Sequence, residues 1–529
     1  MPRTLFRNAR FFTADDASWA DAVVVEDESF LFVGAESDAP AVDEIVDLGG
    51  RTVLAGFTDA HTHLLMMGEA LGQVGLTDAG SLEEIQERLA YARETAEGEL
   101  RGRGWLFDAV PGGTPTAAMI DAVVSDIPVY LDANDYHSCW VNAAALVALG
   151  ITRETPDPIG GRIERDADGE ATGMLYETAA QQFAWAHRDA VTTDEQRDAA
   201  VARVVEAYLA SGVTGAVDMA FDRLALDALG RAAEQGGMPL RIAAHWFVAN
   251  TGDDEANLAQ VAEAAELAGT DTNGVDVIGI KLVLDGTIDA CTAAMRAPYA
   301  DGTNAAPIWP IERLLPVVAA ADAAGLQVAL HAIGDEASTL ALDAIEHAIL
   351  VNGDRPRCHR IEHLEYAAPG TAERMARLGV TASMQPVHAD PAIFANWAAQ
   401  LGDERADRAF AWPEYEDAGT LLAFSTDAPT APHQALANMY VAATRASALD
   451  PEVPAVHPQF ALPLERAIAH ATRDAAASIG DGSWRGRIAV GQAADFAVLD
   501  TDPFAEGNGS LLTARVVRTV IAGRTVHAA

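Results

Sequence analysis

Eight apolar runs recur between residues 53 and 429, and stretches rich in Ala separate several of them. They are VLAGFTDAHTHL at 53–64, GVTGAVDMA at 212–220, LRIAAHWFV at 240–248 and VDVIGIKLVLDG at 275–286. LQVALHAIGD at 326–335, CHRIEHLE at 358–365, VTASMQP at 380–386 and LLAFSTDAP at 421–429 follow. Continuous apolar runs of this length suit strands buried on both faces, and the spacers EQRDAAVARVVEAYLASG and PIERLLPVVAAADAAG carry helical periodicity. Strand and helix in alternation make parallel βα units, and eight of them predict an α/β chain with a (β/α)8 TIM-type barrel.

Two regions stand outside this alternation. The first 55 residues read as short strands with turns (TLFRNARFF, AVVVED, SFLFVGAE, IVDLGGRTVLAG), and the last 45 read the same way. We expect them to form one small composite β-sandwich domain, 1–55 with 485–529, beside a barrel spanning 56–484. The stretch 65–195 is too long for a plain βα connection. It carries helices of its own and a hairpin candidate, PDPIGGRIERDADGEATG, so it reads as an inserted subdomain.

Composition narrows the setting. Asp plus Glu number 78 against 35 Lys plus Arg, a formal net charge of −43 dispersed along the chain. Nucleic acid and anionic membranes would repel such a surface. Near-absence of Lys together with dispersed acidity matches a halophilic protein, screened by a salt-rich cytoplasm. Three widely spaced cysteines, Cys139, Cys291 and Cys358, form no disulfide framework. The N-terminal sequence has no apolar core of signal-peptide length, and no stretch reaches the roughly 18 apolar residues of a membrane span. The expected location is cytoplasmic.

The polar residues that close the apolar runs carry the chemistry. His61 and His63 are spaced i and i+2, which puts both imidazoles on one side of a strand end. His331, His363 and Asp427 end the fifth, sixth and eighth runs, and the C-terminal mouth of a parallel barrel is where sites are built. Singly, each is an ordinary strand-end His or a capping Asp. Together they make a donor set suited to Zn2+ or a similar divalent ion. Of the 35 basic residues, 34 are Arg and one, Lys281, is Lys. It lies on the fourth run, and a neutral Lys amine can take up CO2 as a bridging carbamate where a guanidinium cannot.

On these residues the chain resembles the metal-dependent amidohydrolase superfamily, and within it the amidohydrolase family 3 branch that includes N-substituted formamide deformylases. The resemblance spans nearly the whole sequence: GFTDAHTHL, GIKLVLDGTIDACTAAMRAPYADG, LHAIGD, RIEHLE, SMQPVHAD and STDAP, with GRGW, HSCWVN and GGRIERDADGEATGMLYE in the insertion. It implies one or two zinc ions on His61, His63, Lys281, His331, His363 and Asp427, with carboxylated Lys281 as bridge. Asp427 would shuttle protons between the attacking water and the leaving nitrogen. Trp105, His137, Asp285 and His388 would contact substrate, Thr287 would help to shape the flap, and Glu362 would support His363. The implied reaction is hydrolysis of a non-peptide C–N bond in a small-molecule amide (an N-substituted formamide, an N-acyl compound or a cyclic amide) by a homodimer. A deaminase or cyclic-imide hydrolase of the same superfamily and a non-catalytic regulatory barrel are the alternatives. Val-Leu before the Asp-Gly pair, and Thr after it, depart from the usual branch pattern without touching a ligand position.

Overall fold

In a computed structural model, residues 2–14, 18–96, 98–270, 272, 274–394 and 396–529 are described. The eight runs form the parallel strands β1 (Phe57–Thr62), β2 (Val213–Phe221), β3 (Arg241–Phe247), β4 (Val275–Val283), β5 (Gln327–Ala332), β6 (Arg360–His363), β7 (Thr381–Met384) and β8 (Leu422–Phe424). They pair consecutively from β1 to β8. Val, Ile, Leu and Ala from strands and surrounding helices fill one large core, which is why the runs read as apolar throughout. No ladder joins β8 to β1. The seam is closed just beyond both strands, where Asp427 N–H donates to His61 O at 2.8 Å and His63 N–H to Ala428 O at 3.0 Å.

Both termini contribute to a separate sheet of eight strands. The strand Glu44–Ala55 lies parallel to Thr4–Phe12 on one side and antiparallel to Phe496–Leu499 on the other. The expected sandwich is instead a single hydrogen-bonded sheet that curls on itself. Thr4–Phe12 pairs along both its edges, and strand twist turns the end strand Ser29–Gly34 back towards Phe496–Leu499. Phe6 and Phe30 thus meet Phe496 at centroid distances of 5.1 and 6.2 Å around a shared core.

The insertion opens with helix Leu64–Ala70, which packs on the barrel helix Asp194–Ala210; a Cβ at Gly68 would lie 2.0 Å from the Ala200 carbonyl oxygen. A six-stranded sheet of its own follows, from Val74 to Glu177, ending in the hairpin Gly161–Arg165/Ala171–Glu177. Its Leu76, Ile85, Leu89, Trp105 and Trp140 form a distinct core. The turn between Val129–Ala133 and Ser138–Val141 brings Asp135, Tyr136 and His137 over the barrel mouth. The helical stretch Ala180–Val191 then returns to the barrel.

Candidate metal centre

The seam between β1 and β8 assembles the first half of the site. His61 ends β1, His63 opens the next helix, and the hydrogen bonds that close the barrel hold Asp427 against both. Asp427 Oδ1 lies 3.3 Å from His61 Nε2 and 3.0 Å from His63 Nε2. His363, His388 and the same Asp427 make a second triad, so one carboxylate serves both.

Two observations fit a cation at these donors. Asp427 Oδ1 is buried and accepts no hydrogen bond. The tautomer of His61 is fixed: its Nδ1 donates to Glu362 Oε2 at 2.7 Å, which leaves the lone pair of Nε2 facing the lone pairs of Asp427. Lone pairs opposed at this distance attract only across a positive charge. Lys281 Nζ, 3.3 Å from His61 Nε2, is the cation that the chain itself brings there.

Glu362 is wholly buried between His61 and Arg360, whose Nε lies 2.5 Å from it. Burial opposes its ionisation, but Arg360 and His61 outweigh that and hold the carboxyl well below its ordinary value. Burial likewise opposes ionisation of Asp427, and the neighbouring histidines more than offset it. Burial is the main influence on Lys281 as well, lowering its ammonium to about 8, so a share of neutral amine exists near neutral pH.

Other histidines are fixed through their second nitrogen. Nδ1 of His363 faces Gln385 Oε1 at 3.0 Å, and Nδ1 of His388 faces Glu365 Oε1 at 2.9 Å. His331 Nε2 faces the Gly286 carbonyl oxygen at 3.4 Å, which frees its Nδ1. Its ring sits 4.3 Å from that of His363, outside either triad. His137 hangs from the insertion with Nδ1 2.6 Å from Glu177 Oε2. Burial depresses its pKa, but Glu177, Asp135 and Asp427 prevail and raise it to about 9, so it carries a proton.

A cavity of about 290 Å3 opens above these groups, lined by His61, His63, His137, Lys281, His331, His363 and Asp427. Two residues expected at the substrate are elsewhere. Trp105 is buried in the insertion, its Nε1 donating to Leu131 O at 3.0 Å, with its ring against Trp140; it lines a separate small cleft. Asp285 does not line the cavity either. Its carboxylate accepts the N–H groups of Ile333, Gly334 and Ala294 at 2.8–3.0 Å and so pins the segment after β4 to the loop after β5. His388 stands with His363 and Asp427 in the second triad and lines a small pocket of about 50 Å3 that shares His137, His331, His363 and Asp427 with the main cavity. Thr287 ties the flap to the insertion through Asp135 at 2.9 Å.

Arg360, Glu177 and Glu365 were not foreseen as functional. The i, i+2 spacing of Arg360 and Glu362 on one strand face was the available signal for Arg360. Nothing local in sequence linked Glu177 to His137.

A (β/α)8 barrel with two His/Asp triads at its C-terminal mouth defines a metal-dependent hydrolase. The chain belongs to the amidohydrolase family, whose sequence profile matches residues 44–527. It is 30% identical to Protein LONG AFTER FAR-RED 3 of Arabidopsis thaliana, over 99% of this chain and 91% of that one. It is 28% identical to N-substituted formamide deformylase of Arthrobacter pascens, over 98% and 96% of the two chains. Among solved structures, an uncharacterized metal-dependent hydrolase from Pyrococcus horikoshii OT3 superposes with a TM-score of 0.76 at 26% identity, covering 96% of this chain and 99% of that one.

Proposed function

We propose that this amidohydrolase cleaves a non-peptide amide C–N bond of a small molecule, on one or two zinc ions. The observation that carries the reading is Asp427, a buried carboxylate common to two histidine pairs whose Oδ1 accepts no hydrogen bond among the described residues. His61, His63, His363, Asp427 and, as carbamate, Lys281 would hold the metal, with His331 and His388 beside them. A divalent ion there supplies a Lewis acid for the carbonyl and a lowered pKa for the attacking water.

The chain's own groups do the rest. Glu362 and Gln385 fix the ring orientation of His61 and His363. Asp427 takes the proton of the attacking water at a carboxylate oxygen and returns it to the departing nitrogen. His137, kept protonated by Glu177, offers a charged donor from the cavity roof to an oxygen that gains negative charge. Expulsion of the amine is complete when the C–N bond is broken, the C–O bond formed and the proton transferred.

Metal analysis of purified protein should find one or two divalent ions per chain, and folded protein with none would sink the reading. Lys281→Ala should lose metal and lower kcat by about a hundredfold, with part of both restored by short carboxylic acids that occupy the place of the carbamate.

A further inference from the structure

A second group of charges lines the same cavity, and the proposed chemistry makes no use of it. Arg188, from the helical return of the insertion, has its Nε 3.4 Å from Glu69 Oε2 and 3.5 Å from Asp189 Oδ1. Its Nη1 lies 3.8 Å from Asp132 Oδ2. Three carboxylates thus surround one guanidinium; of these Glu69 and Asp189 reach the cavity wall, where Asp222 joins them, while Asp132 lies behind it and accepts from Trp185 Nε1 at 2.8 Å. The contacts are loose: Arg188 Nε is buried and donates no hydrogen bond to any described residue.

Tyr136 is the independent observation. It lines the cavity, is 5% exposed, and its hydroxyl is buried without a hydrogen-bond partner among the described residues. Tyr136 shares its cavity wall with Glu69, Arg188 and Asp189. Its backbone is held at φ +54°, in the left-handed region, by the turn that delivers Asp135 and His137 on either side. A buried phenol left unsatisfied costs free energy unless something in the cavity pairs with it.

The chemistry of this group selects a ligand. An anion would meet an excess of carboxylates, and an alkyl group would leave both the excess and the phenol unanswered. An ammonium meets acidic oxygens and a phenol oxygen that can accept its N–H. Phe247, also on the wall, adds an aromatic side chain, whereas the Trp185 ring already has the Arg188 guanidinium 5.8 Å from its centroid. From this we infer that the substrate is an amide carrying a protonated amine remote from the scissile bond, with Glu69, Asp189 and Tyr136 as its specificity residues. The inference rests on the amide-hydrolase reading for its reaction: water adds across the carbonyl, the C–N bond breaks, the acid keeps the water oxygen, the departing amine takes the proton, and the remote ammonium is unchanged.

The test uses the full-length, metal-loaded protein and three formamides of equal chain length. They are the mono-N-formyl derivative of a linear diamine, the N-formyl alkylamine, and the N-formyl ω-amino acid. The ammonium compound should exceed the neutral one by about tenfold in kcat/KM, and the carboxylate compound should be poorest. Asp189→Asn, at a partly exposed helix position, and Glu69→Gln should bring the ammonium-to-neutral ratio towards one, and Tyr136→Phe should narrow it. A second readout needs no turnover: calorimetric binding of the linear diamine should be about tenfold tighter than that of the uncharged diol of equal length. Equal turnover of the ammonium and neutral formamides, or equal binding of diamine and diol, overturns the inference and leaves the proposed function standing. Diamine preference that vanishes in Asp189→Asn, with no formamide hydrolysed, supports the cation site and defeats the amide reading instead.

Discussion

Arg360, Glu362 and the neutral His61 form a hydrogen-bonded chain inside the barrel with almost no exposed surface. Arg360 also donates to Ala60 O at 2.7 Å and Ser383 Oγ at 2.6 Å, so the guanidinium ties β6 to β1 and β7 as well. Glu362→Gln keeps the shape and removes the balancing charge. An uncompensated buried guanidinium costs about 3 kcal/mol, which denaturant unfolding will read, and competition with a chelator should find metal held 10–100-fold more weakly, as roughly expected when such support is lost. Most of the candidate metal donors are legible in the sequence because each closes an apolar run, where strand direction alone decides which end of the barrel it meets. Trp105 and Asp285 mislead for a physical reason. An aromatic near a loop and an Asp before Gly look alike whether they touch substrate or stabilise backbone, and only the neighbours they meet in three dimensions decide. His388 stands beside Asp427 and also lines a pocket, and nothing in SMQPVHAD distinguishes a substrate contact from a donor.

The connecting elements are where rigidity is concentrated. Asp285 satisfies three backbone donors drawn from both the flap and the start of the helix Asp335–Asn352, and Gly334 is packed so closely there that a Cβ would lie 2.1 Å from the Ala294 carbonyl oxygen. Asp285→Ala orphans those donors. Stability should fall by roughly 2–4 kcal/mol, and hydrogen exchange should quicken around residues 286–295 before it does in the barrel strands. A different clasp joins helices Pro413–Ala418 and Leu464–Ala471. His470 has Nδ1 2.7 Å from Asp474 and Nε2 2.7 Å from Glu416. Burial disfavours its charge, yet the two carboxylates prevail and raise its pKa. Because the folded value lies above the unfolded one of about 6.5, the stabilisation is complete below that pH and disappears as pH climbs through the folded value. The Tm gap between wild type and His470→Gln should therefore be widest near pH 6 and shrink towards pH 9; a constant gap would contradict this. The strands were readable as periodic runs, and the hairpin of the insertion as a Gly-rich turn. How the insertion leans over the barrel was not, because Tyr136 and Arg188 reach the cavity only through long-range packing.

For the molecule as a whole, the formal charge of −43 is a burden that salt relieves. The screening length falls from about 10 Å at 0.1 M to about 3 Å at 1 M. Self-repulsion of dispersed carboxylates should fade faster than the short Arg–carboxylate pairs do, and Tm should rise by about 2 °C or more between those concentrations in KCl; a flat or falling Tm would remove the halophilic reading. The closed seam has another kind of consequence. It joins positions as far apart as Thr62 and Ala428, whose hydrogen bond spans 366 residues, and the donors of the first triad sit on its two sides. A growing chain leaving the ribosome presents His61 and His63 early and lacks Asp427 until the last barrel strand has been made. Both candidate triads share Asp427, so neither is complete before then.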